Sequence, residues 1–120
     1  MSPDKLKGDK QRHFRWRVWG HEGRIAPSHR VSLINFSQSG ALIEHSHRVQ
    51  PETSLTITIM VHEQELGIEC RVVRSIVHRA EALPTGEQAP VYRTALEFLS
   101  PPETSQRLID EFIDRLRGER

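Results

Sequence analysis

A single cysteine, Cys70, stands in the 120 residues, so no internal disulfide can staple the fold, and a reducing compartment suits the chain. Aromatic residues are few: four Phe, two Trp and one Tyr. No apolar run approaches the ~18 residues needed to span a bilayer, which argues against membrane insertion. The first ten residues, MSPDKLKGDK, carry charge but no apolar core and do not read as a secretory signal. The expectation is a cytoplasmic domain. Internal repeats and low-complexity tracts are also missing.

Catalytic and metal signatures are equally sparse. Among seven histidines, His45 and His47 lie two apart, but no third ligand follows at a diagnostic spacing, so no metal site is expected. No Ser/His/Asp arrangement or phosphate-binding helix turn is visible. Glu63, Glu65 and Glu69 fall in a loop and on a solvent face rather than forming an acid/base pair. Cys70 occupies an inward strand position and reads as a small buried hydrophobe rather than a nucleophile. The chain is therefore not expected to be an enzyme.

What is present suits one globular domain. A composition 36% hydrophobic and 28% charged excludes wholesale disorder, and the length allows one modest core. Residues 1–10 read as a flexible basic arm and 11–120 as the domain. The net charge of +1 hides an asymmetry. Residues 1–30 hold eight Lys/Arg against three acids, a net +5, and the remainder holds nine against thirteen, a net −4. Such polarity directs the N-terminal part toward an anion.

Along the chain, RHFRWRVWG interleaves arginines with Phe14, Trp16 and Trp19. RVSLIN follows as a strand with Val31 and Leu33 on one face, then a turn, then ALIEH as a second strand. In SLTITIMVH, Leu55, Ile57, Ile59 and Val61 alternate with polar residues at period two. HEQE, residues 62–65, reads as a tight connection. LGIECRVVRSIVH places Leu66, Ile68, Cys70 and Val72 inward and then meets Arg74 at an inward position. A bulge is expected near Val72–Val73. Residues 79–90 read as a loop, and VYRTALEFL as a last strand with Tyr92, Thr94, Leu96 and Phe98 on one side. Ser100-Pro101-Pro102-Glu103 has the form of a capping box. After it, Leu108, Ile109, Phe112, Ile113 and Leu116 form one helical stripe, with Gly118 as a stop. The class is all-β with a terminal helix, a small barrel or curled sheet carrying an amphipathic α-helix.

Two segments concentrate chemistry: the Arg/aromatic stretch at 12–19 and the turn NFSQSG at 35–40. A phosphate ligand would meet arginine forks in the first and short hydroxyl and backbone donors in the second. Here the sequence resembles the bacterial PilZ domain family, receptors for cyclic di-GMP whose marks are an RxxxR motif and, about twenty residues on, [D/N]xSxxG. Asn35-Phe36-Ser37-Gln38-Ser39-Gly40 matches the second at every fixed position. TALEFL, residues 94–99, looks like the family's last strand, with Ala95 where glycine is usual. The first motif departs: placing Arg15 as its second arginine puts Gln11 at the first, with Arg12 adjacent. Registers on Arg17 with His13, or on Arg12 with Trp16, are no closer. QRHFR is favoured because it keeps Arg12 and the distance to Asn35.

The resemblance implies a six-stranded antiparallel β-barrel with a C-terminal helix, covering roughly residues 11–117, and cyclic di-GMP as ligand, with no cofactor. It implies that Arg15, with Arg12 and Arg17, clamps phosphates and meets the guanines. Asn35 and Ser37 would bond guanine or phosphate oxygens, and Gly40 would keep the turn tight. The signal would pass to a protein partner in motility or surface-attachment control. A charge-assisted hydrogen bond is worth roughly 1.5–3 kcal/mol, about 10- to 150-fold in affinity, so Gln11 weakens the site. One rival is an adaptor of this fold that has lost the ligand. Another is a single-stranded nucleic-acid binder, against which stand the small net charge and the clustering of basic residues toward the N-terminus rather than across a strand face.

Overall fold

The structure, a computed structural model, describes residues 16–17, 21–26 and 29–118. Seven strands and one helix follow in order. They are β1 (Trp16–Arg17), β2 (Glu22–Ala26), β3 (His29–Phe36), β4 (Gly40–His45), β5 (Ser54–Val61), β6 (Gln64–Ala82), β7 (Gln88–Phe98) and α1 (Glu103–Gly118). Neighbours run β3-β2-β5-β6-β7-β4, and a further β3–β4 pairing closes the ring. Every pairing is antiparallel. The result is the expected small six-stranded barrel, in which closure removes most exposed strand edges. β1 lies outside the ring count, paired to the end of β3 on the same edge that β2 uses nearer its start.

The interior follows from period-two alternation. Ile57, Ile59 and Val61 of β5 are buried, as are Leu66, Ile68, Cys70 and Val72 of β6. Each such Ile, Leu or Val is worth about 1.5–3 kcal/mol when taken out of water. From α1, Ile109, Phe112, Ile113 and Leu116 join the same cluster. Phe112 meets Phe36 at 4.9 Å between ring centroids, and Phe36 meets Phe98 edge-on at 5.3 Å. Glu103 in the first turn of α1, and Arg115 and Arg117 in the last, complement its dipole.

The turn expected at HEQE is tighter still. His62 and Glu63 alone make it, with φ of 51° and 65°, and Val61 pairs with Gln64, as in a two-residue hairpin of the type I′ kind. The expected bulge is present as a register shift between Val72 and Arg74.

Three details differ from the sequence reading. The loop expected over 79–90 is mostly ribbon. β6 runs to Ala82 and β7 begins at Gln88, and the Leu83 and Glu87 backbones close the hairpin at 2.8 Å. This ribbon leaves Ile76, Val77 and Leu83 exposed, so no buried face imposes an alternation. Near its base, a second shift between Val77 and Arg79 changes parity. Val91 is buried there, while Tyr92 is half-buried and stacks on His45 at 5.9 Å. Finally, α1 starts at Glu103, with the Pro102 carbonyl accepting from the Gln106 amide at 2.8 Å. Ser100, at φ 37°, is left-handed and does not have the extended backbone of a helix N-cap.

Candidate functional site on the outer wall of the barrel

The turn Asn35–Gly40 joins β3 to β4 and is held from inside by Ser37, which is 1% exposed. Its Oγ accepts from the amides of Ser39 and Gly40, each at 3.2 Å, and donates to the Gly40 carbonyl at 3.2 Å. The Ser37 amide also donates to that carbonyl at 2.9 Å. A hydroxyl that caps two amides of its own turn satisfies buried backbone groups that would otherwise be costly. The Ser37 hydroxyl thus faces the backbone of its own turn and shapes it.

Gly40 pairs with Glu97 of β7. A Cβ here would fall within contact distance of the Leu96 carbonyl oxygen. Glycine is required by the approach of β7, and the Phe98 amide donates to the Ser39 carbonyl at 2.9 Å beside it. The turn is thus stitched to two strands.

Asn35 reaches the surface through a bulge. Leu33 pairs with Ile43 but Asn35 pairs with Leu42, so Ile34 is the extra residue. The bulge reverses parity: Val31, Leu33 and then Phe36 are buried, and Asn35 is left half-buried on the outer side. Arg17 of β1 is the register partner of Asn35 on the other side. The pairing continues from Asn35 to Leu42, from Leu42 to Ala95, and from Ala95 to Arg74. Residues directly opposite in a sheet share a face, so the row crosses the outer wall.

A concavity of about 150 Å³ opens on this wall, lined by Ser39, Gly40, Val73, Arg74, Ala95 and Glu97. Its carboxylate is neutralised: Glu97 Oε1 lies 2.6 Å from Arg71 Nη2, and Arg71 also meets Glu52 at 3.0 Å. The hydrogen bond and charge of Glu97 push the Arg71 pKa further up. Nearby, Glu44 takes Arg93 at 2.9 Å and Arg79 at 3.1 Å. Burial pushes the Glu44 carboxyl up, but the bonds from Arg93 and Arg79 outweigh it and hold the group below its ordinary value. Arg74 is exposed. Sequence reasoning placed it inward; the bulge at Val73 turns it out, and carrying the expected bulge through the alternation would have found it.

Of the other expected site residues, Gln11, Arg12 and Arg15 lie outside the described residues, as do Phe14, Trp19 and the 1–10 arm. Arg17 is placed by its backbone register beside Asn35. His45 and His47 part company: His45 is buried with Nε2 2.6 Å from Thr94 Oγ1, and His47 stacks on His29 at 3.6 Å. Among the described residues no group of three or more His, Cys, Asp or Glu could hold a metal ion. Cys70 is fully buried, and burial pushes its thiol up to about 12.

Comparison with known proteins agrees with this architecture. No curated protein matches at a significant level. The PilZ domain of YcgR from Escherichia coli, a structure with c-di-GMP, superposes with a TM-score of 0.68 at 16% identity, over 90% of this chain and 92% of that one. The K. pneumonia MrkH–c-di-GMP complex gives 0.67 at 19% identity, over 90% of this chain but only 52% of that one. An uncharacterised Legionella protein gives 0.54 at 18% identity, over 88% and 96%. These are likenesses of fold. The family model for the PilZ domain matches residues 9–115, nearly the whole chain, and the chain belongs to the PilZ domain family.

Proposed function

We propose that this PilZ domain is a receptor for cyclic di-GMP, bound on the outer wall formed by β3, β4 and β7. The observation that carries the reading is the register of Arg17 beside Asn35, at the start of a turn that Ser37 and Gly40 hold in shape. Asn35 offers amide donor and acceptor groups to guanine or phosphate. Ser37 and Gly40 hold the turn in shape, and Arg12, Arg15 and Arg17 supply the cations. The N-terminal segment closes over the ligand, and that movement passes the signal to a protein partner in motility or surface-attachment control. Among the described residues no helix is long and apolar enough to cross a membrane, and the reading places the domain in the bacterial cytoplasm. It assigns no catalytic step.

Calorimetric titration of the purified chain with cyclic di-GMP tests the reading. Saturable heat is expected, weakened about tenfold or more by Arg15→Ala, the loss of one charge-assisted contact. A folded protein that gives no heat at high micromolar ligand would refute it.

A second reading has its own support. The Ser37 hydroxyl is fully engaged inside the turn, so the motif has a purpose without any ligand, and Gln11 removes a charge from the arm. On that reading the domain is a protein–protein adaptor, and Arg15→Ala leaves its function intact.

A further inference from the structure

We propose that Arg74 is an additional ligand-binding residue of this site, supplying from β6 the cation that Gln11 withholds from the arm. The inference rests on the cyclic di-GMP reading above and names a contact which that reading does not contain.

Three observations converge on Arg74. The first is position. It pairs with Ala95, which pairs with Leu42, which pairs with Asn35, so Arg74 and Asn35 stand on one face, three strand spacings or about 14 Å apart along the wall. The concavity beside Arg74 is lined by it and by Ser39 and Gly40 of the turn that Asn35 begins. The second is charge. The neighbouring arginines of this wall are committed: Arg71 to Glu97 and Glu52, Arg79 and Arg93 to Glu44. Among the described residues that line the concavity, Arg74 is the cation, and no carboxylate pairs with it there. The third is space. Ala95 lies between Arg74 and Leu42 in the row, and a methyl side chain leaves the floor open for a flat ring.

The bulge at Val73 is what produces this placement. Without the register shift between Val72 and Arg74, strand alternation would turn Arg74 into the barrel with Val72. An arginine there would be a buried charge without a partner, at heavy cost. Turned outward, its guanidinium offers a planar fork of donors that matches a phosphodiester or the O6/N7 edge of guanine. Glu97 on the same wall does not oppose an anion, because Arg71 neutralises it.

The test is calorimetric titration with cyclic di-GMP of the wild-type chain, Arg74→Ala, Arg74→Lys, Ala95→Phe and Asn35→Ala. Circular dichroism and thermal melting confirm that each is folded. Arg74→Ala is expected to weaken binding about tenfold or more with an unchanged melting temperature. Arg74→Lys should recover part of the loss, since it keeps the charge but not the fork. Ala95→Phe should block the floor and weaken binding as well. The salt dependence of the affinity should be shallower in Arg74→Ala than in wild type, a change that a purely structural role would not bring. If wild type binds, Asn35→Ala weakens it, and Arg74→Ala binds within twofold of wild type, the role of Arg74 is overturned while the receptor reading stands. If folded wild type gives no heat, both fall together.

Discussion

His45 Nε2 lies 2.6 Å from Thr94 Oγ1 in the barrel interior, and Thr94 Oγ1 lies 2.8 Å from Ser75 Oγ. Three strands are thus tied by a side-chain chain running from β4 through β7 to β6. Among the described residues His45 Nδ1 has no partner. Burial lowers the His45 pKa from its ordinary 6.5, so the folded state holds the neutral ring and the unfolded state takes up the proton first. Stability from this group is full above about pH 6.5 and is lost as pH falls from there through the lower folded value. Urea denaturation at pH 7.5 and pH 5 should show a drop in wild type that is smaller in His45→Gln. An equal drop in both would remove His45 as the cause.

Ser37 offers a sharper separation of structure from binding. Replacing it by alanine leaves the amides of Ser39 and Gly40 without the oxygen they share. Loss of a partner for buried polar groups costs about 1–3 kcal/mol, and Ser37→Ala should lower the urea midpoint accordingly in the absence of any ligand. An unchanged midpoint would refute the turn-shaping role of the Ser37 hydroxyl.

At Gly40 the constraint is the close approach of β7. An alanine methyl would press on the Leu96 carbonyl, which belongs to a strand paired on both sides and cannot step back. Overpacking of this kind costs about 1–3 kcal/mol. Gly40→Ala should melt below wild type and lose protection from hydrogen exchange in β4 and β7 while β5 is little affected. Uniform loss across the barrel, or none, would argue against the local clash.

The legible parts of this fold were those with one face in water and one in the core. Leu55 to Val61 and Leu66 to Val72 alternate because the barrel interior selects every second residue, and that constraint is written locally. The bulges at Ile34 and near His78 leave no comparable mark. Each is defined only against the register of a partner strand, yet each decides which way the following residues face. Asn35 was singled out by its motif alone, while its outward aim comes from the bulge at Ile34. Arg74 was read inward because alternation was carried past Val73 without the flip that the expected bulge entails. The ribbon beyond Val77 was read as a loop because solvent on both faces erases the period. In the turn, the residue types were legible as a motif, while the inward direction of the Ser37 hydroxyl depends on how β7 closes over Gly40.

Cys70 closes the set. It is fully buried among Ile57, Ile68 and the other core residues, with Sγ pointing to the Ile68 carbonyl at 3.4 Å. Its thiol is pushed up to about 12 by burial, so almost no thiolate exists at neutral pH, and the thiolate is the reactive form. Ellman's reagent at pH 8 should therefore label native protein only as fast as the barrel opens, and label urea-unfolded protein at once. Because the thiol sits beside the β5–β6 ladder, its native labelling rate should rise in Ser37→Ala and Gly40→Ala if those changes lower global stability. It should stay at the wild-type value if they loosen only the β3–β4 turn. Fast labelling of the native wild-type chain would contradict the buried position of Cys70 itself.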